Sequence, residues 1–179
     1  MVNTWLTSDF HFGHENIIKY AKRPFKSLKH MGIELIRRFN QRVKPDDIVY
    51  FLGDLCFRNS DGGKKGEGTV NKADYYLKQL NGNFIFIKGN HDVNNGLKTC
   101  MLNCVIKLGG NELFLVHDPA YGNKDYKINI CGHVHTAWKF KRKGKIDFIN
   151  VGVDVWGYKP VSINEIMEEY KKWISGKRN

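Results

Sequence analysis

The 179-residue sequence has few cysteines, no long apolar run and a deficit of acid. Its four cysteines, Cys56, Cys100, Cys104 and Cys131, form no C-x-x-C pair and fit no zinc-finger spacing. They read as reduced, mainly buried thiols in a reducing compartment. No segment approaches the roughly 20 apolar residues that cross a bilayer. The first ten residues lack the basic start and apolar stretch of a signal peptide. Cytoplasm is therefore the expected location, with no membrane partner. Gly63-Lys64-Lys65 lacks the Ser or Thr and the spacing of a phosphate-binding P-loop. Repeats and an internal linker are also missing, so residues 1–179 read as one domain.

What is present excludes two further classes. A chain of this length buries roughly 70% of its unfolded surface, so it needs no disulfide or structural metal to make a core. At 41% hydrophobic and 13% aromatic residues it is too apolar for intrinsic disorder. Lys plus Arg number 29 against 18 Asp plus Glu, a formal charge of +11. That field attracts phosphates, nucleic acid or acidic surfaces, but it says nothing of fold.

Periodicity divides the chain into two halves. In the first, a strand at Asn3–Ser8, helices at Asn16–Ala21 and Ser27–Val43, a strand at Ile48–Leu52, a helix at Lys72–Leu80 and a strand at Phe84–Lys88 alternate. Pro24 separates the first two helices, and Ser27 is an expected N-cap. Arg58 to Lys72, rich in glycine, reads as a flexible loop. The second half is strand-rich: Val105–Leu108, Glu112–Val116, Lys127–Ile130, Ala137–Arg142, Lys145–Ile149 and Val151–Val155, with a hairpin turn at Lys143-Gly144. A last helix, about Asn164 to Ser175, follows the capping box Ser162 to Glu165 and stops at Gly176. The pattern predicts an α/β or α+β fold with two sheets facing each other and helices outside.

Six of the seven histidines occupy the same kind of place. His11, His14, His91, His117, His133 and His135 each lie just beyond an apolar strand, close to Gly, Asp or Asn; only His30 falls inside a helix. Strand ends are where the loops of open α/β sheets converge on a ligand crevice. With Asp9, Asp54 and Asn90-His91-Asp92 they form a nitrogen and oxygen donor set suited to Mn, Fe, Co, Ni or Zn. So many donors imply more than one ion.

The blocks Ser8-Asp9-Phe10-His11-Phe12-Gly13, Gly53-Asp54, Gly89-Asn90-His91-Asp92, His117 and Gly132-His133-Val134-His135 resemble, in order, the calcineurin-like metallophosphoesterase superfamily. The short chain is similar to its compact bacterial, archaeal and phage members. The resemblance implies a four-layer αββα sandwich of two mixed β-sheets flanked by helices. It also implies a metal-dependent phosphoesterase that hydrolyses phosphodiester or phosphomonoester bonds by a dinuclear-metal hydroxide mechanism. Two divalent ions, Mn²⁺ foremost, would lie about 3.5–4 Å apart. Asp9, His11, Asp54 and His135 would hold the first; Asp54, Asn90, His117 and His133 would hold the second, with Asp54 bridging. His91 would donate a proton to the departing oxygen, with Asp92 or another acid fixing its tautomer; alternatively it is a structural histidine behind the ligands.

Other positions carry two readings each. Arg58, four residues past Asp54, matches a phosphate-binding Arg of some superfamily members, or is an ordinary solvated side chain. His14 and Asn16 face the substrate, or Asn16 caps the helix that begins there. Asp118 and Asp154 have no family role and read as structural or as supports behind the ligands. The Arg58–Lys72 loop is a candidate lid bearing Lys64 and Lys65. The basic run Lys139, Lys141, Arg142, Lys143 and Lys145 contacts a polyanion, or is a solvated edge hairpin whose charge discourages aggregation. The expected partner is a phosphate ester, with a nucleotide or nucleic acid among the candidates. The alternatives to a small-molecule phosphoesterase are a nuclease or nucleic-acid end-processing phosphatase, and a non-catalytic metal-binding scaffold.

Overall fold

The computed structural model describes residues 2–65 and 67–176. Its strands are β1 (Thr4–Thr7), β2 (Ile48–Phe51), β3 (Asn83–Phe86), β4 (Asn103–Leu108), β5 (Asn111–Val116), β6 (Ile128–Cys131), β7 (Phe140–Lys143), β8 (Ile146–Asn150) and β9 (Val161–Ser162). The α-helices are α1 (Asn16–Tyr20), α2 (Leu28–Asn40), α3 (Ala73–Leu77) and α4 (Ile163–Ser175). The strands form two mixed sheets, β3-β2-β1-β9 and β4-β5-β6-β8-β7. In the first, β1, β2 and β3 run parallel and β9 antiparallel to β1; in the second, β5, β6 and β8 run parallel between antiparallel edges. This is the α/β sandwich that the sequence predicts.

Alternation along each strand builds the layers, because successive side chains point to opposite faces. Trp5, Val49 and Phe51 face outward onto a cluster with Met31, Leu35 and Phe39 of α2, Ile17 of α1 and Tyr76 of α3. Leu6 and Leu52, with Ile87, face inward onto Leu113 and Leu115 of β5, Ile128 and Ile130 of β6 and Ile149 of β8. Ile166 and Tyr170 of α4 join this intersheet core. Each such fully buried side chain contributes about 1.5–3 kcal/mol. The outer side chains of the second sheet, Phe114, Val116, Cys131 and Phe148, pack with Tyr126 and Trp138 from connecting segments.

The caps explain the helix starts. Ser27 accepts from the His30 N–H at 3.2 Å, and Ser162 with Glu165 forms the full capping box of α4. Asn16 does not cap: it is the first residue of α1, whose N-cap position is Glu15 without a side-chain bond.

The structure departs from the expected elements in the second half. Val151–Val155, β-branched and expected as a strand, is instead a 3₁₀ turn at Val153–Val155. Asn150 causes it: its side chain accepts from Gly152 N–H at 2.8 Å, and its carbonyl takes the Trp156 indole at 2.7 Å. Strand β7 begins only at Phe140, and Lys143 pairs with Ile146, so the hairpin turn is Gly144-Lys145, one residue later than expected. Helix α3 is shorter than the expected 72–80, and the two-residue β9 is an addition. The 58–72 loop is closed at its base by an Arg58–Thr69 bridge and an Asn59 N–H to Thr69 carbonyl bond of 2.7 Å. Cys56 and Cys131 are buried, but Cys104 is half-buried and Cys100 exposed, so burial is less general than expected.

Candidate metal centre

Parallel β1, β2 and β3 end on the same side, and β5 and β6 of the facing sheet end beside them. The segments just past these ends carry Asp9 and His11, Asp54, Asn90 and His91, His117, and His133 and His135. Three overlapping donor groups result: Asp9, His11 and His135; His11, Asp54 and His91; Asp54, His117 and His133. Asn90 joins the last, its Oδ1 lying 3.0 Å from His117 Nε2 and 2.9 Å from His133 Nδ1. All seven expected ligands therefore meet in one cluster.

The backbone is bent hard to do this. Asp9, His11, Asp54, His133 and His135 all have φ between 46° and 69°, in the left-handed region that side chains other than glycine seldom occupy. Close approach of the loops helps to hold them. Gly53 has φ 85°, and a Cβ there would come within 2.6 Å of the Gly89 backbone and of His117 Nδ1. A Cβ on Gly132 would run into Ser8 Oγ and Asp9 Oδ2.

Asp54 sits at the middle. Its Oδ2 is 3.4 Å from His11 Nε2 and 3.4 Å from His117 Nε2, while its Oδ1 accepts the His91 N–H at 2.9 Å. Asp9 is fully buried; Ser8 Oγ donates to it at 2.5 Å, and the His133 N–H lies 3.0 Å from both carboxylate oxygens. Two imidazoles are oriented from behind: the Leu52 carbonyl is 2.6 Å from His117 Nδ1 and the Asp154 carboxylate 2.8 Å from His135 Nδ1. Each then presents Nε2 to the cluster.

The electrostatics of the cluster call for positive charge. Burial raises the Asp9 carboxyl above its usual range. Burial also opposes ionisation of Asp54, yet the bond with His117 and the neighbouring His11 hold its carboxyl well below that range. Against burial, Asp54 and Asp9 pull His117 up to about 9, and Asp154 and Asp9 raise His135. Burial drives His11 well down, so it stays neutral. Both His11 ring nitrogens are buried without a hydrogen-bond partner among the described residues. An imidazole with neither nitrogen satisfied is costly, and here Nε2 points at two carboxylates. A divalent cation would remove that cost and supply the charge that the histidines otherwise take up as protons. The residues fit a metal.

The remaining candidates lie around this cluster. The half-buried His91 ring is 5.2 Å from that of His11. His14 is buried and stacked on Phe57 with centroids 4.5 Å apart; burial lowers it to about 4, and its Nδ1 has no partner among the described residues. Asn16 is half-buried. Arg58 is exposed, 3.4 Å from the Asn94 carbonyl. Asp92 does not reach the His91 ring as expected. Its carboxylate accepts backbone N–H groups from Asp54, Leu55 and Gly89 and the Asn95 amide at 2.6–3.2 Å, tying two ligand loops together. One contributor was left open by the sequence and another escaped it. Asp154, left open as a structural residue or one behind the ligands, is the latter and holds His135, and Arg23, which carries no motif at all, holds Asp154. Asp118 Oδ2 lies 3.9 Å from His133 Nε2.

Comparison with known proteins agrees with this geometry. The chain is 38% identical to an uncharacterized protein of Methanocaldococcus jannaschii, over 96% of this chain and 93% of that one. It is 27% identical to the Gene 66 protein of Mycobacterium phage L5, over 94% of each. A crystal structure of a protein of unknown function from Aquifex aeolicus superposes with a TM-score of 0.69 at 27% identity, covering 94% of this chain and 99% of that one. The calcineurin-like phosphoesterase family model matches residues 2–176. The chain thus belongs to the calcineurin-like phosphoesterases, metal-dependent hydrolases of phosphate-ester bonds.

Proposed function

We propose that the protein hydrolyses phosphodiester or phosphomonoester bonds of a nucleotide or another small phosphate ester by the dinuclear-metal hydroxide route. In this reading residues 1–179 work as one domain in the cytoplasm. No helix among the described residues is long and apolar enough to cross a membrane. The observation that carries the mechanism is the single Asp54 oxygen 3.4 Å from imidazoles of two donor groups. Asp9, His11, Asp54 and His135 hold one ion, and Asp54, Asn90, His117 and His133 the other. Mn²⁺ is the first choice, with Fe, Co, Ni and Zn also suited to these donors. Bound divalent ions neutralise phosphate oxygens and make hydroxide available at neutral pH.

The other roles belong to the chain's own side chains. His91, anchored through its N–H on Asp54, donates a proton to the leaving oxygen. Asn90, Arg58, His14 and Asn16 contact the substrate, and Arg58 swings from the Asn94 carbonyl to do so. A cavity of about 570 Å³ adjoins Asn90 and His117 and is lined also by Lys88, Leu102, Asp118 and Tyr121. That volume suits a small ligand, and it receives the organic group of the ester. A nucleic-acid substrate draws less support, because two of the five basic side chains of the hairpin are already paired. Arg142 forks onto Asp147 at 2.5 and 2.8 Å, and Lys139 binds Glu169 and lies 3.5 Å over the Trp156 ring.

The test is reconstitution of metal-stripped protein with Mn²⁺, Ni²⁺ or Zn²⁺, using activated mono- and diesters and 2′,3′-cyclic nucleotides as substrates. Hydrolysis should require the ion. His91→Ala should lower kcat roughly 100-fold or more on poor leaving groups and less on activated ones. Equal rates without metal would overturn the mechanism, and a loss independent of the leaving group would overturn the role of His91.

A further inference from the structure

Arginine is almost never fully buried unless it is paired, yet Arg23 is 4% exposed in a segment without recognisable motif. Its Nε and Nη2 donate to the two carboxylate oxygens of Asp154 at 2.8 and 3.0 Å. The same guanidinium reaches the other way: Nη2 donates to the Asp9 carbonyl at 2.7 Å and Nη1 to the Phe10 carbonyl at 2.8 Å. Asp154 in turn accepts from His135 Nδ1 at 2.8 Å. One buried pair therefore grips the backbone of the Asp9–His11 turn and the ring of His135, the three residues of one donor group.

The group of Asp54, His117 and His133 is framed differently: buried Asp92 ties its loops through backbone N–H groups, and no buried ion pair among the described residues grips its imidazoles. There His117 leans on a backbone carbonyl, and the His133 side chain is 40% exposed. A buried ion pair is poor value as a stabiliser, since apolar replacements of similar volume are often as stable or more so. Its position at a ligand accounts for it better. A carboxylate on Nδ1 fixes the tautomer that leaves Nε2 free to bind, and raises its basicity.

We propose that Arg23 and Asp154 are a positioning pair that makes the Asp9, His11 and His135 site the tighter of the two, so that it fills first. The pair orients His135 and holds the left-handed Asp9 and His11 turn ready before any ion arrives. This rests on the two-ion reading above.

Titration calorimetry of metal-stripped protein with Mn²⁺, with bound ions counted by mass spectrometry, separates the two ideas. Wild type should take two ions in two steps of unequal affinity. Asp154→Asn should weaken the tighter step roughly 10–100-fold and leave the weaker one within about twofold. Arg23→Met/Asp154→Leu leaves no unpaired charge, so it guards against simple unfolding; it should behave likewise. In ¹⁵N spectra of metal-free protein, recorded at a pH high enough for the His135 ring to be neutral, the double variant should lose the fixed Nδ1–H tautomer that wild type keeps. A wild type that binds fewer than two ions sinks the two-ion reading itself. Two steps in wild type, with a folded double variant that keeps both affinities and the tautomer, would overturn the positioning role alone. Weakening of the looser step instead would overturn the assignment of the site.

Discussion

Strand β2 has a buried carboxylate at each end, and the two are treated in opposite ways. Asp47, just before the strand, is satisfied by its own chain: the Asn3 N–H at 2.8 Å, the Trp5 indole at 2.9 Å and the Lys44 N–H at 2.9 Å. Asp54, just past the strand, takes one backbone N–H and turns its other oxygen to two imidazoles, one of them unpartnered at both nitrogens. Each is at most 2% exposed. Burial alone therefore does not mark a functional acid; the supply of internal donors does. Where the fold meets every lone pair, the acid holds the chain together. Where it leaves neighbouring acceptors facing one another, the acid awaits a cation.

The contrast can be broken most sharply at Asp54. Asp54→Asn keeps an acceptor for the His91 N–H but removes the charge between the donor groups. Metal contributes several kcal/mol to such chemistry, and 1.36 kcal/mol is a tenfold change in rate, so kcat should fall by about a thousandfold or more. Bound metal per chain should fall with it. A variant that keeps its metal and its rate would erase the distinction between the two acids. Next in size is the effect of the ion on stability. An ion at 100 times its dissociation constant adds about 2.7 kcal/mol, which for a chain of this length raises Tm by roughly 5–10 °C. Thermal melts with and without chelator measure it, and Asp54→Asn should lose most of the gain.

Asp47→Asn should do the reverse, costing about 2 kcal/mol of stability while leaving the metal count unchanged. Its pH dependence has a definite sign. Burial opposes ionisation, but the N–H groups of Lys44, Trp5 and Asn3 hold this carboxyl at about 2 against an ordinary 3.8. Its stabilisation is thus complete above about pH 4 and is lost as the pH falls toward 2. Chemical denaturation across that window should show wild type and variant converging in acid. Smallest is Arg58→Ala, which should raise KM roughly threefold to tenfold with kcat nearly unchanged. A fall in kcat with KM constant would move Arg58 from binding to the reacting phosphate.

The same contrast explains what the sequence disclosed. Asp9, His11, Asp54, Asn90, His117, His133 and His135 were legible because short strands deliver them at their ends, and spacing along the chain survives folding there. The order of strands and helices showed two facing sheets and no more, and the αββα sandwich came from the family resemblance; the alternation that builds it, Trp5 and Leu6 or Phe148 and Ile149 on opposite faces, is seen in the structure. Arg23 and Asp154 were not legible, because only folding brings together residues so far apart in the chain. The turn at Val153–Val155 was hidden by β-branched residues that favour a strand until Asn150 bonds back on the chain. Asp47 offered no signal either: nothing in Pro45-Asp46-Asp47 tells which acid is buried beneath Trp5.

The antiparallel pairing of β1 with β9 also sets an order of events. Leu6 lies opposite Val161, so during synthesis β1 waits beside an empty position while the long stretch between the two is made. Pairings so distant in sequence form slowly. A nascent chain halted before Val161 exposes one edge of β1, open to another chain in the same condition. Asp9, two residues past β1, likewise reaches its working geometry only when His133 and Asp154, far along the chain, are in place.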